Sequence, residues 1–364
     1  MRKIGSVIFL FASFLFWRGL TFAQKNTAAQ KNTGNCATVI KDAEILYNLG
    51  KYDECLLSLK VALKDCNLSR TEKQEAWILI SRLNLEQDKT SESDNALVQL
   101  LKVNANYKPN PGAYQEDFYT HLDRIQTRPK LSVGLNAGLN VPVYNNSQTY
   151  SVLNGLNYSA PYKSVPGFTT GLNFEYEFYT NLSLVTGLDF SLFNYKRNLS
   201  SSLSDYTIDY SESLNYLILP LYLKKQFGSK KLKPYIILGG DFNFLQKATA
   251  DITASYSEVD FLTGLSDNFT NSISNIDQKV MRTSTFGGLT AGAGASYRIK
   301  NLVFQVDIRY TAGMNYFTNS SDRFDNEQLI YHYYYIDNAV TLNRIEMTAS
   351  VNYIFLYDVR VRKE

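Results

Sequence analysis

The chain has 364 residues, 45% of them hydrophobic, with 27 Tyr and 21 Phe, and carries 37 basic against 34 acidic residues. That length allows a large core or two domains, and so even a charge balance offers no electrostatic footprint for nucleic acid. Three cysteines and two histidines are all the soft ligands present, and none falls in a zinc-type spacing.

Residues 1–23, MRKIGSVIFLFASFLFWRGLTFA, join a basic start to an apolar stretch and a small residue, Ala23. This is the layout of a cleavable secretory signal. An uncleaved anchor is the alternative, but Arg18 interrupts the apolar run and leaves it short for a span. Losing Arg2, Lys3 and Arg18 with the signal takes the 37 basic residues to 34, equal to the acidic total. No cysteine stands at the cleavage point, which argues against a lipid-modified terminus. Beyond residue 23 no segment approaches the roughly 18 consecutive apolar residues of a membrane helix. Residues 24–35, QKNTAAQKNTGN, have no apolar period and read as a flexible linker.

From Cys36 to about Gln126 the apolar residues recur at three- and four-residue spacing, the helical signature. Ser69 and Glu72 form a capping-box pattern before the helix holding Trp77, Leu79 and Leu83. Ser91 and Asp94 suggest a similar start before ALVQLLKV, and a fifth helix is expected over Tyr114 to Gln126. The stretch Gly50-Lys-Tyr52-Asp-Glu-Cys55, followed by Leu59, Ala62 and Leu63, resembles the tetratricopeptide repeat, with Cys55 in a buried small-residue position. Ala96-Leu97-x-x-Leu100 echoes its second helix. Two imperfect repeats make no solenoid, so the resemblance implies a compact lobe of four or five helices over residues 36–128. A hairpin about Gly50–Lys51 would set Cys36 beside Cys66. A disulfide, which an exported location permits, and a pair of free buried thiols are the two alternatives.

Past Arg128 the period changes to two. LSVGLNAGLNV (131–141) puts Leu131, Val133, Leu135, Ala137 and Leu139 on one face. FTTGLNFEYEF (168–178) and LSLVTGLDFSL (182–192) alternate in the same way, as do stretches beginning at Tyr216, Pro234, Thr285, Leu302 and Arg344. Eight strands result. Most are long enough to cross a bilayer at a tilt; a two-sheet sandwich would use shorter strands with polar outer faces. Turns at Tyr179–Asn181, Gly228–Lys233 and Lys300–Asn301 alternate with long connections, the outer-membrane pattern of short periplasmic turns and long external loops.

The expected fold is therefore α plus membrane β: an eight-stranded antiparallel outer-membrane β-barrel (129–358) preceded by a small periplasmic helical lobe of tetratricopeptide-like type. The C-terminal tail, 359–364, also falls on the periplasmic side. Within YLILPLYLKK (216–225), Leu217, Leu219, Leu221 and Leu223 should face lipid, while Tyr216, Ile218, Pro220 and Tyr222 face inward. Pro220 forfeits a ladder bond, so a bulge or a lumenal polar partner is expected there.

Four segments carry a resemblance to a known family: Tyr216-Leu-Ile-Leu-Pro220-Leu-Tyr-Leu-Lys224; Lys233-Pro-Tyr-Ile-Ile-Leu-Gly239-Gly240; Gly287 to Arg298; and Tyr310-Thr-Ala-Gly313. In that order they resemble the PorT-type outer-membrane β-barrel proteins over residues 130–357. Ile218 departs from a position that is often polar in such barrels. The likeness implies a Gram-negative cell envelope and, for some members, a link to type IX secretion. The last strand's Thr348-x-Ser350-x-x-Tyr353-x-Phe355 is similar to a terminal barrel-insertion signal.

The inward face gathers Glu175, Glu177, Asp189, Asp241, Arg298, Asp307, Arg309 and Glu346. Because an eight-stranded barrel is filled by side chains and buried charges need partners, a structural ion-pair network plugging the lumen is expected. Acids outnumber arginines there, so lysines such as Lys224 are expected to join it. A catalytic acid pair or ion path is the sharper but weaker alternative. His121 reads as a packing or surface residue. His332 sits in IYHYYYID, whose tyrosines Tyr331, Tyr333, Tyr334 and Tyr335 suit an interfacial girdle or a ligand-contact patch. No nucleophile elbow or phosphate loop appears, so the expectation is a protein without catalytic, metal or cofactor sites. Its expected partners are outer-membrane lipid and a periplasmic protein or envelope component held by the lobe. A surface receptor or adhesin acting through the external loops, or a narrow porin, are the alternatives.

Overall fold

A computed structural model describes residues 36, 38–203, 205–228, 231–259 and 266–362. The expected signal (1–23) and linker (24–35) lie outside them. The chain divides into two compact units, residues 1–127 with 359–364, and Arg128–Asp358.

Among the described residues the first unit holds five helices: α1 (Val39–Asn48), α2 (Tyr52–Asp65), α3 (Arg70–Glu86), α4 (Thr90–Val103) and α5 (Glu116–Asp123). α1 ends where Gly50 adopts a φ of +73°, and the Gly50 and Lys51 amides bond to the carbonyls of Tyr47 and Leu46. That is the Schellman closure, in which a residue without Cβ takes the left-handed conformation. α3 starts on a complete capping box. The Glu72 amide donates to Ser69 Oγ at 3.2 Å, and the Ser69 amide donates to Glu72 Oε2 at 2.7 Å. α4 corrects one expectation. It begins at Thr90 after Lys89, so Ser91 lies inside the first turn and caps nothing. Asp94 instead meets His121 of α5, Nδ1 to Oδ1, at 2.6 Å. The unit's core is Ala43, Cys55, Leu59, Ala76, Leu83 and their neighbours. Cys36 and Cys66 are joined as a disulfide across the α1–α2 hairpin, and Cys55 is a free, buried thiol.

Ten strands follow among the described residues: β1 (Ile125–Gln148), β2 (Lys163–Val165), β3 (Gly167–Tyr179), β4 (Leu182–Ser200), β5 (Thr207–Gln226), β6 (Leu232–Val259), β7 (Ser266–Asp277), β8 (Thr285–Ile299), β9 (Leu302–Gly313) and β10 (Ala339–Val361). Eight of these close a ring, β1-β3-β4-β5-β6-β8-β9-β10, with β10 back against β1. β2 adds to β4, and β7 pairs with β6 alone. A short helix, α6 (Glu327–Tyr333), lies in the last long connection. Val359–Val361, expected in a tail, continue β10 instead. The tight turns carry Asn181 and Lys300 at φ of +58° and +53°.

Around the ring the apolar residues point out: Leu135, Phe174, Leu188, Leu221, Leu238 and Ile308 are all exposed. Polar side chains point in. Towards the long-connection end this pattern reverses. Past Leu192, Leu217 and Phe244 the outer face becomes Lys196, Asn198, Asp209 and Asp251, while the inner face becomes Tyr195, Leu199, Ile208, Ala250 and Ile252. A strand wall that is greasy outside at one height and polar outside at the next has left the acyl layer for water. The long connection expected between the strands beginning at Pro234 and Thr285 is thus largely strand: β6 runs on to Val259 and β7 returns along it. Its outer face is polar because water, not lipid, surrounds it.

In β6 a bulge at Gln246, opposite the step from Asn215 to Tyr216, moves the inward positions from odd to even numbers, whereas β4 and β5 keep their parity and change only in residue type. Pro220 itself needs no bulge. β4 and β5 keep one register through it, with the pairs beside Pro220 missing from the ladder. Thr186 Oγ1 donates to the Pro220 carbonyl at 2.9 Å. The polar partner therefore comes from β4's outer face and not from the lumen, because the proline ring removes its own donor but leaves the acceptor.

Candidate functional site: a charged lumen beneath a buried arginine cluster

Six strands converge their charges on the barrel axis. Nearest the short turns, Glu175 Oε2 accepts from Lys224 Nζ at 2.8 Å and from Gln305 Nε2 at 3.1 Å. The Lys224 ammonium also lies 4.4 Å from the Tyr235 ring centroid. The next layer centres on Asp307, which accepts from Arg309 Nε at 2.6 Å, Tyr235 Oη at 2.7 Å and Thr348 Oγ1 at 2.8 Å. Gly294 makes this layer fit. A Cβ there would sit 2.6 Å from Asp307 Cβ and 2.7 Å from the Tyr235 ring, so only glycine lets the ring cross the lumen. Above it Arg344 bridges Asp241 and Glu346, and its Nη1 donates to Asn243 at 3.1 Å. Asp189 accepts from the Asn136 amide at 2.8 Å.

Six of the eight residues expected in the lumen, Glu175, Asp189, Asp241, Asp307, Arg309 and Glu346, therefore lie in these layers, joined by Lys224. The other two do not join them. Arg298 donates through Nε to the Lys300 carbonyl at 3.0 Å and lies over the Tyr357 ring. Glu177 accepts from the Asn181 amide at 3.2 Å. Both stand within a few residues of a tight turn, where the inward face opens to the mouth and alternation no longer means burial.

Arg344 was missed, although it lies two residues from Glu346 on the same inward face. Its signal was the strand's own period, which had simply been started at that residue and read for Glu346 alone. A second cluster was missed altogether. Towards the long-connection end Arg282 is fully buried and pairs with both Glu212 and Asp337. Tyr195 and Tyr210 donate their hydroxyls to Glu212 at 2.6 Å. Arg197, also buried, bonds the carbonyls of Tyr158 and Ile336 and sits over the rings of Tyr162 and Tyr335. Glu212 could have been found by extending the alternation of Tyr216 and Leu214 upstream. Arg282 and Asp337 lie in irregular connections and carried no signal.

Tyr333 and Tyr335 are buried in this inner core, so only Tyr331 and Tyr334 of the tyrosine run face outward. A girdle made of all four is excluded. His332 is exposed on α6. Among the described residues no group of three His, Cys, Asp or Glu is placed to hold a metal ion. The lumenal carboxylates are held by cations, hydroxyls and amides, an arrangement that fills and rigidifies a cylinder.

A closed antiparallel ring with an apolar belt outside and ion pairs inside defines an outer-membrane β-barrel. The chain belongs to the family described as outer membrane protein beta-barrel domain, whose model matches residues 120–319. That membership places the protein in a bacterial outer membrane. Among solved structures it is similar to Neisserial surface protein A, at 16% identity over 63% of this chain and 99% of that one, with a TM-score of 0.28. OprG from Pseudomonas aeruginosa matches at 13% over 62% and 95%, TM-score 0.33. Ail of Yersinia pestis matches at 14% over 62% and 99%, TM-score 0.21. Likenesses this distant add nothing to the family assignment. No curated protein matches the chain.

Proposed function

We propose that the protein is a non-enzymatic outer-membrane anchor whose helical unit, on the periplasmic side, holds a periplasmic protein or another envelope component. The observation that carries this reading is two exposed aliphatic pairs on that unit, uncovered among the described residues. Ile45 and Leu49 on α1 are 57% and 67% exposed, and Leu57 and Val61 on α2 are 66% and 50% exposed. Each pair is four residues apart and so lies on one side of its helix. Aliphatic surface left in water at this density marks an interaction site, and tetratricopeptide-type helix pairs present such surfaces to partners. The short turns support this choice of side. In outer-membrane barrels they face the periplasm, and the chain enters β1 and leaves β10 at that same end. The PorT-type likeness adds a secretion or envelope-assembly setting for the partner. The filled lumen favours anchoring over the passage of solutes.

A photo-crosslinking residue placed at Leu57 of the full chain in living cells tests this. A discrete adduct at position 57, lost when Leu49 and Val61 are both changed to glutamate, supports the scaffold. Adducts at Tyr331 alone, with none at Leu57, would favour the receptor or adhesin reading instead. Two observations support that second reading: the strand wall carried past the lipid belt, and the exposed Phe324 and Tyr331 at its rim.

A further inference from the structure

The long-connection end holds a cleft that neither the lumenal plug nor the helical unit uses. Gln278, Asn319, Arg323, Asn326, Tyr335 and Asp337 are among the residues that line it. Gln278 is 0% exposed, yet neither its amide nitrogen nor its amide oxygen has a hydrogen-bond partner. A buried primary amide left unmatched has lost its water without gaining a partner, so this side chain is fitted to receive a polar group.

Charge identifies the group. The inner core at this end contains the carboxylates Glu212 and Asp337 and the guanidinium groups of Arg197, Arg282 and Arg323. Arg282 takes both acids. Arg197 is stabilised by two carbonyls and two aromatic faces. Arg323 is only 8% exposed and lies 3.8 Å above the Tyr150 ring centroid, with no carboxylate paired to it among the described residues. Its Nε has no acceptor. The neighbouring Asp322 is engaged by the Asn319 amide. One buried positive charge is thus in surplus, and buried charges call for a counter-charge.

We propose that this cleft binds a small oxyanion, a phosphate, sulfate or carboxylate group, with Arg323 supplying the charge and the Gln278 amide a directed hydrogen bond. The cavity itself has a volume of only about 10 Å³, about the room of one water molecule. The anion therefore sits at the mouth and reaches inward with a single oxygen. Asn326, on the same lining, is the further donor, since its Oδ1 is engaged by the Leu329 amide while the Asn319 amide is taken up by the Val280 carbonyl and Asp322. The site is independent of any partner of the helical unit, so its failure leaves the anchoring reading untouched.

The test is calorimetric titration of the full-length protein in neutral detergent at fixed ionic strength, with chloride as the reference anion. Inorganic phosphate, sulfate and acetate are the soluble probes, and short-chain phosphatidic acid asks whether a lipid headgroup is preferred. Saturable binding of at least one probe, weakened tenfold or more by both Arg323→Gln and Gln278→Leu, is expected. Gln278→Glu supplies the missing carboxylate from within. That variant is expected to bind no added anion and to resist unfolding better than the parent protein. Heat-modifiable gel mobility reports whether each variant is folded. Absence of binding by every probe at millimolar concentration overturns the proposal. So does undiminished binding by a folded Arg323→Gln, or by Gln278→Glu should the first variant not fold.

Discussion

Arg344 holds two carboxylates, Asp241 and Glu346, in a space closed to water. Removing it as Arg344→Met leaves both acids without their cation, and losing one partner of a buried pair costs about 3–5 kcal/mol. The expected result is a large drop in the urea midpoint for the barrel in lipid vesicles. Asp241→Asn should cost less, because Arg344 keeps Glu346. Equal effects would mean that the network does not bear on stability. In the helical unit, burial pushes the Cys55 thiol up to about 11, and its Sγ donates to the Ala43 carbonyl at 3.1 Å. The thiolate is the reactive form, so the folded protein should resist alkylation at neutral and mildly alkaline pH and react once denatured. Glu72 shows the opposite sign. The Ser69 backbone and side-chain hydrogen bonds hold its carboxyl below the usual value. Its cap therefore adds stability above the ordinary glutamate range, and that stability is lost as the pH falls through the lowered value. Glu72→Gln should flatten this acid dependence in thermal melts of the protein, and Ser69→Ala, which keeps the Ser69 amide as donor, should flatten it only in part.

The α1–α2 hairpin is closed at both ends, by the Schellman turn at Gly50 and by the Cys36–Cys66 disulfide. The bridge spans 30 residues of sequence, a loop for which cross-linking contributes about 2–4 kcal/mol. Reduction should lower the melting temperature of the helical signal and leave the barrel's gel mobility unchanged. At this scale much of the fold was legible. The eight ring strands announced themselves because lipid demands apolar residues on every second position, as from Leu302 to Tyr310. Where water replaces lipid that demand ends, so the outer reaches of β4, β5 and β6, and all of β7, lost their signature. Capping was read correctly where both partners of a reciprocal bond were present, at Ser69 and Glu72. It failed at Ser91, where a serine and an acid merely happened to follow one another. The lumenal acids and Arg344 share one parity and Lys224 was expected among them, but which cation meets which acid is settled by the register between strands.

Over the whole molecule, ion pairs and aromatic rings stack along the barrel axis from Glu175 to Tyr335. A cylinder filled in this way should pass almost no current. Planar bilayers containing the purified protein are expected to show only unresolved leakage, and steady stepwise openings of porin size would contradict the packing described. The same ring has an order of assembly built into it. Its seam lies between β1 and β10, so the first barrel strand made must wait, edge bare, for the last. A chain stopped at Asn338 would retain seven staves and two raw margins. In a hydrocarbon medium that cannot solvate a peptide group, such a half-cooper's cask has nowhere to go except into aggregates or proteolysis.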